Sequence, residues 1–124
     1  MAILAIFTGA INPAQYEALS QEIDWEGQQA QGAIGHAASF DAAGGIHVAD
    51  VWESAEAMQA FVGQRLGPAF QKLGIAPPKV AVYRVHKLNV YKGHDPHRLA
   101  DPTARQVRVA APELDIAAWH PASA

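Results

Sequence analysis

The order of the predicted secondary structure constrains the fold of this chain more than any other feature. Segments rich in strand-forming residues occupy 2–7, 33–40, 45–54 and 79–86, and helical spacing of apolar side chains follows the first and third of them. The order strand-helix-strand-strand-helix-strand is that of ferredoxin-like folds, in which right-handed crossovers place both helices on one face of a four-stranded antiparallel sheet. The sequence therefore predicts an α+β protein whose sheet has one face without helices.

Start and stop signals delimit the two helices. Asn12 is followed by Pro13 and Gln15, which is the pattern of an N-cap, a first-turn proline and a capping box. Ser54 is the corresponding cap of the second helix, whose apolar stripe consists of Met58, Phe61, Val62 and Leu66. Because proline lacks an N–H and clashes with the preceding turn, Gly67–Pro68 predicts a break or kink in that helix.

The predicted strands are apolar on both faces, whereas a sheet with water on one side usually alternates apolar and polar residues. The last strand places Val80, Val82, Arg84 and His86 on one face, and Ala81, Tyr83 and Val85 on the other. Covering such a face stabilises by about 25 cal/mol per Å². A second copy on a two-fold axis is the simplest cover, and the C-terminal tail is the competing one. We therefore expect a homodimer formed through the open sheet face.

The chain changes character near residue 92. Its 124 residues suit one modest core, and we assign that core to a ferredoxin-like domain at 1–92. Residues 93–124 form a C-terminal extension, expected to be partly irregular and to pack on its own or the partner subunit. In this extension "HDPHRLADPTAR" is typical of a loop, "RQVRVA" of a short strand, and "PELDIAAW" of one or two helical turns.

Composition excludes several classes of protein. The formal net charge is −3 and cysteine is absent, so nucleic acids and acidic membranes are not expected partners, and disulfides or thiolate sites are excluded. The first residues, "MAILAIF", are too few and lack the basic flank of a signal peptide, and no apolar run approaches the length of a membrane span. We expect a cytoplasmic protein without nucleic-acid or membrane partners.

Residues 1–90 resemble the dimeric α+β barrel superfamily, and in particular its small antibiotic-biosynthesis-monooxygenase-like members. The resemblance rests on Gly32–Gly35–His36 and on three segments: "VADVWES" at 48–54, "FVGQRLGPAFQKLGI" at 61–75 and "VHK" at 85–87. It implies two sheets packed face to face around a pocket inside the barrel. The pattern is more specific for the fold than for a reaction, since similar proteins include oxygenases, isomerases, lyases and heme-degrading enzymes.

The length of the loop between the second and third strands decides whether a histidine meets a carboxylate. A five-residue loop at 41–45 pairs Phe40 with Ile46, so that His36 faces Asp50 and Ile34 faces Trp52. Cross-strand neighbours have Cβ atoms about 5 Å apart, and Asp50 would then orient His36 as a general base. A four-residue loop breaks this pair. The structural alternative is that Asp50 bonds backbone groups near the helix start and His36 is a satisfied core residue.

Other residues are candidates for binding a substrate. Phe40, Trp52 and Tyr83 could line an aromatic pocket, although large aromatic side chains more often serve only as packing. Arg84 and His86 share a strand face and could bind an anionic substrate or steady an oxyanion, or could simply be a solvated strand end.

No metal site is expected. His94 and His97 lie three residues apart, and His120 follows further along the chain. Two histidines can begin a metal site, but the intervening Asp-Pro disfavours a helix and no firm third ligand is present. We interpret this region as a solvated loop.

Two classes of function follow. The first is a cofactor-independent monooxygenase or isomerase that binds an acidic aromatic or polyketide-like small molecule in the barrel, with His36 and Asp50 as catalytic residues. The second is a non-catalytic ligand-binding or stress-response accessory protein. Heme degradation is a third possibility that the resemblance allows, and no cofactor is otherwise expected.

Overall fold

The computed structural model describes residues 1–101 and has the predicted α+β fold. Its strands are β1 (Ile3–Gly9), β2 (Ala33–Phe40), β3 (Ile46–Trp52) and β4 (Lys79–Arg84). Its helices are α1 (Pro13–Ile23), α2 (Ala55–Phe61), a π-helix (Val62–Leu66), α3 (Gly67–Leu73) and α4 (Pro96–Leu99). The strands form one antiparallel sheet in the order β2-β3-β1-β4. The element order and the ferredoxin-like fold class are therefore confirmed.

The chain divides into two compact units, Met1–His94 and Asp95–Ala124. The first unit contains the sheet and the helices that pack on it. In the second, α4 is one short turn whose N-cap, Asp95, accepts a hydrogen bond from the backbone N–H of His97. The sequence predicted a loop here, but a proline in the first turn of a helix is compatible with its missing N–H. The strand predicted in "RQVRVA" and the turns predicted in "PELDIAAW" lie outside the described residues.

Helix α1 begins with the predicted capping box. The side chain of Asn12 accepts from the backbone N–H of Gln15, and the side chain of Gln15 accepts from the backbone N–H of Asn12. The helix ends at Ile23 because Asp24 adopts the left-handed conformation, with φ 50°. The loop after α1 then carries Trp25 back towards the sheet.

The second helical region continues through Gly67–Pro68 instead of breaking there. The backbone N–H of Gly67 bonds the carbonyl of Val62, five residues earlier, so the chain widens into a π-helix before α3 begins. A widened turn accommodates the proline ring and its missing donor, which an α-helical interior would not. The helix therefore changes at Gly67–Pro68 as predicted, but it changes from a π-helix to an α-helix and does not break. As a result, Phe61 and Phe70 both belong to the buried face.

The core lies between the helices and one face of the sheet. On the sheet side it consists of Ile3, Ala5, Phe7, Ile46, Val48 and Trp52, and on the helix side of Leu19, Met58, Phe61, Ala69 and Phe70. Residues directly opposite one another on paired strands share a face, so Trp52 shares this one with Ile3. Leu4, Val51 and Tyr83 form a row on the reverse, which we call the open face. Strand β4 is exposed along its whole length.

The loop between β2 and β3 has the five residues that fix the favourable register. The backbone N–H of Asp41 donates to the carbonyl of Gly45, and Oδ1 of Asp41 accepts from the backbone N–H groups of Ala43 and Gly45. Nε2 of His47 lies 2.8 Å from Oδ2 of Asp41, and Gly44 supplies the positive φ of 83° that the turn requires. The loop is thus built around one carboxylate.

This loop confirms the pairing of Phe40 with Ile46 and of His36 with Asp50. The expected pairing of Ile34 with Trp52 is wrong. A register shift between Ala33 and Gly35 places Ala33 opposite Trp52. A bulge of this kind inserts one extra residue and bends the strand, which hairpin counting from the loop cannot anticipate.

Replacing Asp41 with alanine is expected to lower the melting temperature at pH 7, because the loop loses three side-chain hydrogen bonds. The bond to His47, followed by the backbone bonds, lowers the pKa of Asp41. A lowered folded-state pKa stabilises above the unfolded value and ceases to do so as the pH falls through the folded value. The difference between wild type and Asp41→Ala should therefore shrink below about pH 4. Ala42→Ser is the control, and a difference that does not depend on pH would contradict the prediction.

Candidate functional site

Asp50 is the only charged residue among the buried residues of the described chain, with 5% of its surface exposed. It lies at the middle of β3, opposite Ala5 on β1 and His36 on β2. One carboxylate oxygen, Oδ1, lies 2.6 Å from Nδ1 of His36, and the other accepts from Nε1 of Trp52 at 3.3 Å. A buried carboxylate is destabilising unless it is hydrogen-bonded. Both oxygens of Asp50 are therefore satisfied, and the histidine ring is held in a fixed orientation.

These contacts fit one arrangement of protons on His36, in which Asp50 is ionised and the ring is neutral. An ionised carboxylate only accepts hydrogen bonds, so Nδ1 of His36 carries the proton and donates it to Asp50. The lone pair of the neutral ring is then on Nε2, and the hydroxyl of Tyr16 lies 2.7 Å from this atom. Burial raises the pKa of Tyr16, which keeps its hydroxyl a neutral donor. The result is a hydrogen-bonded chain in the order Tyr16, His36, Asp50 and Trp52.

Aromatic rings enclose this chain of hydrogen bonds. The centroid of the Trp25 ring lies 4.8 Å from that of His36 and 5.2 Å from that of Phe61. The centroids of Phe61 and Trp52 are 5.3 Å apart. Phe40 meets the ring of Tyr16 edge-on at 6.0 Å. The Asp50 end of the chain is buried, and hydrogen bonds there interact more strongly in the lower dielectric, whereas the His36 side chain keeps 21% of its surface exposed.

Arg65 holds the wall in place from the π-helix. Its guanidinium group donates to the backbone carbonyl of Ile23 and lies 5.2 Å from the centre of the Phe61 ring. The first contact fixes the C-terminal end of α1, just before Trp25, and the second is a cation–π interaction. The widened turn is thus part of the support of the site.

A cavity of about 70 Å³ lies between the sheet and the helices. Its lining includes Tyr16, Trp25, His36, Asp50, Phe61 and Phe70. It therefore lies within one subunit, on the helix-covered face of the sheet. The expectation that His36 would face a pocket inside a barrel of two sheets is wrong, because His36 lines the cavity on the helix-covered face. The sequence did not reveal this, since both sheet faces are apolar and the pattern does not tell which one the helices cover.

The structure brings together four of the predicted site residues and separates the other three. His36 and Asp50 form the expected pair, Trp52 is buried against Asp50, and Phe40 packs on Tyr16. The structure does not bring Tyr83, Arg84 and His86 to this cavity.

The three residues fail for identifiable reasons. Tyr83 is 57% exposed and lies on the open face, in the row of Leu4 and Val51. Arg84 is opposite Ile3 but lies on the exposed edge strand, and His86 follows the end of β4. None of the three lines the cavity. These residues lie on or just after β4, which is an edge strand of the sheet, and the strand order places β4 away from His36 on β2.

Tyr16 and Trp25 are site residues that sequence reasoning missed. In the sequence Tyr16 falls on the apolar stripe of α1, together with Leu19 and Ile23, and so is typical of a packing residue. A hydroxyl on the face of a helix that packs on a sheet needs a partner there, and this need was the available signal. Trp25 follows the end of α1, and no periodic pattern there indicates which way its ring points.

Within residues 1–101 no three histidine, cysteine, aspartate or glutamate side chains gather into a possible metal site. His94 and His97 fall in this range, and His120 lies outside it. Over the same part of the chain no helix combines the length and apolar character needed to cross a membrane.

Neither a protein-family model nor any protein of curated function matches this sequence. Solved structures match its fold. A putative antibiotic biosynthesis monooxygenase from Deinococcus radiodurans is 19% identical with a TM-score of 0.52, and covers 75% of this chain and 100% of its own. SnoaB, a cofactor-independent oxygenase from Streptomyces nogalater, is 14% identical with a TM-score of 0.51, over 70% of this chain and 93% of its own.

A protein of unknown function from Nitrosomonas europaea has a TM-score of 0.56 at 16% identity, over 75% of this chain and 98% of its own. The chain therefore has the fold of antibiotic-biosynthesis-monooxygenase-like proteins, as the sequence resemblance predicted. At these identities the likeness concerns the fold alone.

Proposed function

We propose that this chain binds an acidic aromatic or polyketide-like small molecule in the cavity and removes a proton from it, with His36 as general base and Asp50 as the residue that orients it. The observation that carries the proposal is the 2.6 Å contact between Nδ1 of His36 and Oδ1 of the buried Asp50. This contact leaves Nε2 of His36 directed at the cavity and the residues of α1.

The chemistry of the two groups suits proton abstraction at neutral pH. An imidazole can take up a proton at neutral pH, which makes histidine the commonest general base in enzymes. Asp50 holds the tautomer that exposes a lone pair on Nε2 and stabilises the imidazolium that forms when the proton is taken. A base of this strength can deprotonate only an acidic group, such as an aromatic hydroxyl or a carbon acid activated by an adjacent ring and carbonyl.

Two reactions can follow deprotonation. In a monooxygenase, dioxygen attacks the carbanion, one oxygen atom becomes a carbonyl and the other leaves as water: R–CH₂–R′ + O₂ → R–CO–R′ + H₂O. Both electron pairs come from the substrate, so no cofactor is needed. In an isomerase, the proton returns from His36 to another atom of the same molecule. SnoaB, which shares the fold, is a cofactor-independent oxygenase, and this supports the first of the two.

The test uses 2-tetralone, an aromatic ketone with acidic hydrogens on C1. Proton NMR in D₂O measures the exchange of these hydrogens, and we expect the protein to accelerate it above the rate in buffer. An oxygen electrode then distinguishes the two fates of the carbanion, since only an oxygenase consumes dioxygen. An exchange rate equal to that in buffer, for 2-tetralone and for a panel of related aromatic ketones, would contradict the proposal.

A non-catalytic ligand-binding protein is the second candidate. The observation that favours it is that the lone pair of His36 already accepts a hydrogen bond from Tyr16, in a cavity of only about 70 Å³. Such a protein would bind an aromatic ligand in a saturable manner without accelerating exchange. Calorimetry and NMR on the same sample separate the two candidates.

We also propose a homodimer formed through the open face. Leu4 and Ile6 of β1 are partly exposed there, next to Ala49 and Val51 of β3, although this part of a central strand is apolar. Tyr83 extends the same surface onto β4. A sheet face of this composition is stabilised when another apolar surface covers it.

Replacing Ala49 with arginine is expected to weaken self-association at least tenfold, because a charge placed in the middle of the open face would be buried without a partner. Sedimentation velocity measures the change. Ala60→Arg, the same substitution on an exposed position of α2, should leave the dimer intact. A wild-type protein that sediments as a monomer at high concentration would refute the proposed dimer.

A further inference from the structure

The hydroxyl of Tyr16 occupies the position from which His36 would have to act. It lies 2.7 Å from Nε2, the atom whose lone pair a general base needs. The two rings are nearly parallel, with an interplanar angle of 9° and centroids 6.1 Å apart. A planar aromatic ring with a hydroxyl group is therefore already bound to His36, and it belongs to the protein itself.

The size of the cavity points in the same direction. Its volume is about 70 Å³, whereas a cavity that holds benzene measures about 150 Å³. An aromatic ligand beside His36 therefore needs additional space. Trp52 is only 1% exposed and is fixed by its bond to Asp50, so the space has to come from another side chain that borders His36.

Tyr16 is the side chain best placed to provide this space. It is the fourth residue of α1 and is partly exposed, and its contacts to the site are the hydrogen bond and ring stacking with His36 and the edge contact with Phe40. Trp25, by contrast, contacts the rings of His36, Trp52 and Phe61 at once. Rotation of Tyr16 would remove its hydrogen bond to His36 and its ring contacts with His36 and Phe40, and would leave Trp25, Trp52 and Phe61 in place.

We infer that Tyr16 is a resident stand-in for the ligand, and that the ligand is a phenol or enol whose hydroxyl takes the place of the Tyr16 hydroxyl at Nε2 of His36. This inference rests on the proposed function and names the ligand class of the same site. It also explains why the lone pair of His36 is occupied: the hydroxyl of Tyr16 is bound to Nε2 until the hydroxyl of a ligand displaces it.

When only a fraction of the protein is in the binding-competent state, the apparent dissociation constant equals the intrinsic one divided by that fraction. Removing the hydroxyl of Tyr16 removes the bond that holds the closed state. Phenol affinity should then rise about fivefold, which is the equilibrium equivalent of one ordinary hydrogen bond.

The experiment is isothermal titration of wild type, Tyr16→Phe and Tyr91→Phe with 1-naphthol and 1-methoxynaphthalene. Tyr16→Phe keeps the ring and should bind 1-naphthol about fivefold more tightly than wild type. Tyr91→Phe removes a hydroxyl from a residue that is 76% exposed and should behave as wild type. The methyl ether cannot donate to Nε2 and should bind every protein more weakly than 1-naphthol does.

A second readout follows the nitrogen itself. The ¹⁵N chemical shift of Nε2 of His36 should move towards that of a free neutral imidazole in Tyr16→Phe and return when 1-naphthol is added. A purely structural role of Tyr16 would not produce this return.

The outcomes separate this inference from the proposed function. Unchanged or weaker binding of 1-naphthol by Tyr16→Phe overturns the inference about Tyr16. If the wild type still accelerates exchange in 2-tetralone, the proposed function stands in that case. Exchange that is lost in Tyr16→Phe also overturns it, because Tyr16 would then pass the proton to His36. Absence of both naphthol binding and tetralone exchange in all three proteins overturns the inference and the function together.

Discussion

Replacing His36 with glutamine should lower the exchange of the C1 hydrogens of 2-tetralone by about 10²–10⁴-fold, the usual contribution of a positioned general base. Glutamine is close to histidine in size but carries no group that can take a proton at neutral pH. Asp50→Asn should also lower the rate, because the amide can donate to Nδ1 of His36 and so favour the tautomer that has no lone pair on Nε2.

His47→Gln is the matched control for this prediction. His47 is also hydrogen-bonded to an aspartate, Asp41, but the pair is exposed beside the hairpin loop and neither residue lines the cavity. Its replacement should leave the exchange rate unchanged. If His36→Gln exchanged hydrogens as fast as wild type, with its fold intact by circular dichroism, His36 would not be the base.

Trp52→Ala is expected to destabilise the protein by about 3–5 kcal/mol, the range observed when large aromatic core residues are truncated. Trp52 is only 1% exposed and packs against Trp25 and Phe61. The substitution leaves a cavity and also removes the N–H that bonds Oδ2 of the buried Asp50. Chemical denaturation followed by circular dichroism measures the change in the free energy of unfolding.

Trp52→Phe separates these two contributions. It keeps an aromatic ring but leaves Oδ2 of Asp50 without its donor, and we expect a loss of about 1–3 kcal/mol. Tyr91→Ala, at a highly exposed position, should change the stability by about 0.5 kcal/mol or less. A Trp52→Ala variant as stable as Tyr91→Ala would show that the core is not organised around Trp52.

The parts of the fold that depend on local chemistry were predictable from the sequence. The capping box of Asn12 and Gln15, the cap at Ser54 and the five-residue loop at 41–45 each involve residues close together in the chain. The loop length alone was sufficient to bring His36 opposite Asp50. The candidate pair was therefore within reach of sequence reasoning, because a hairpin is the shortest route between two strands.

The parts that depend on distant pairings were not predictable in the same way. Trp52 and Tyr83 were grouped together, but β1 pairs Trp52 with Ile3 and Tyr83 with Leu4, on opposite faces. With apolar residues on both faces, alternation along a strand does not tell which face the helices cover. Tyr16 reaches His36 across 20 residues of sequence, and only the packing of α1 on the sheet reveals this contact.

The position of the cavity bears on how association and chemistry are connected. Every side chain in the hydrogen-bonded chain from Tyr16 to Trp52 comes from a single polypeptide, and the open face is on the opposite surface of the sheet. A dimer joined through that face would thus carry two complete and independent cavities, back to back. The stoichiometry would be one ligand per polypeptide without cooperativity, and a subunit prevented from pairing by Ala49→Arg would retain its full complement of reactive groups.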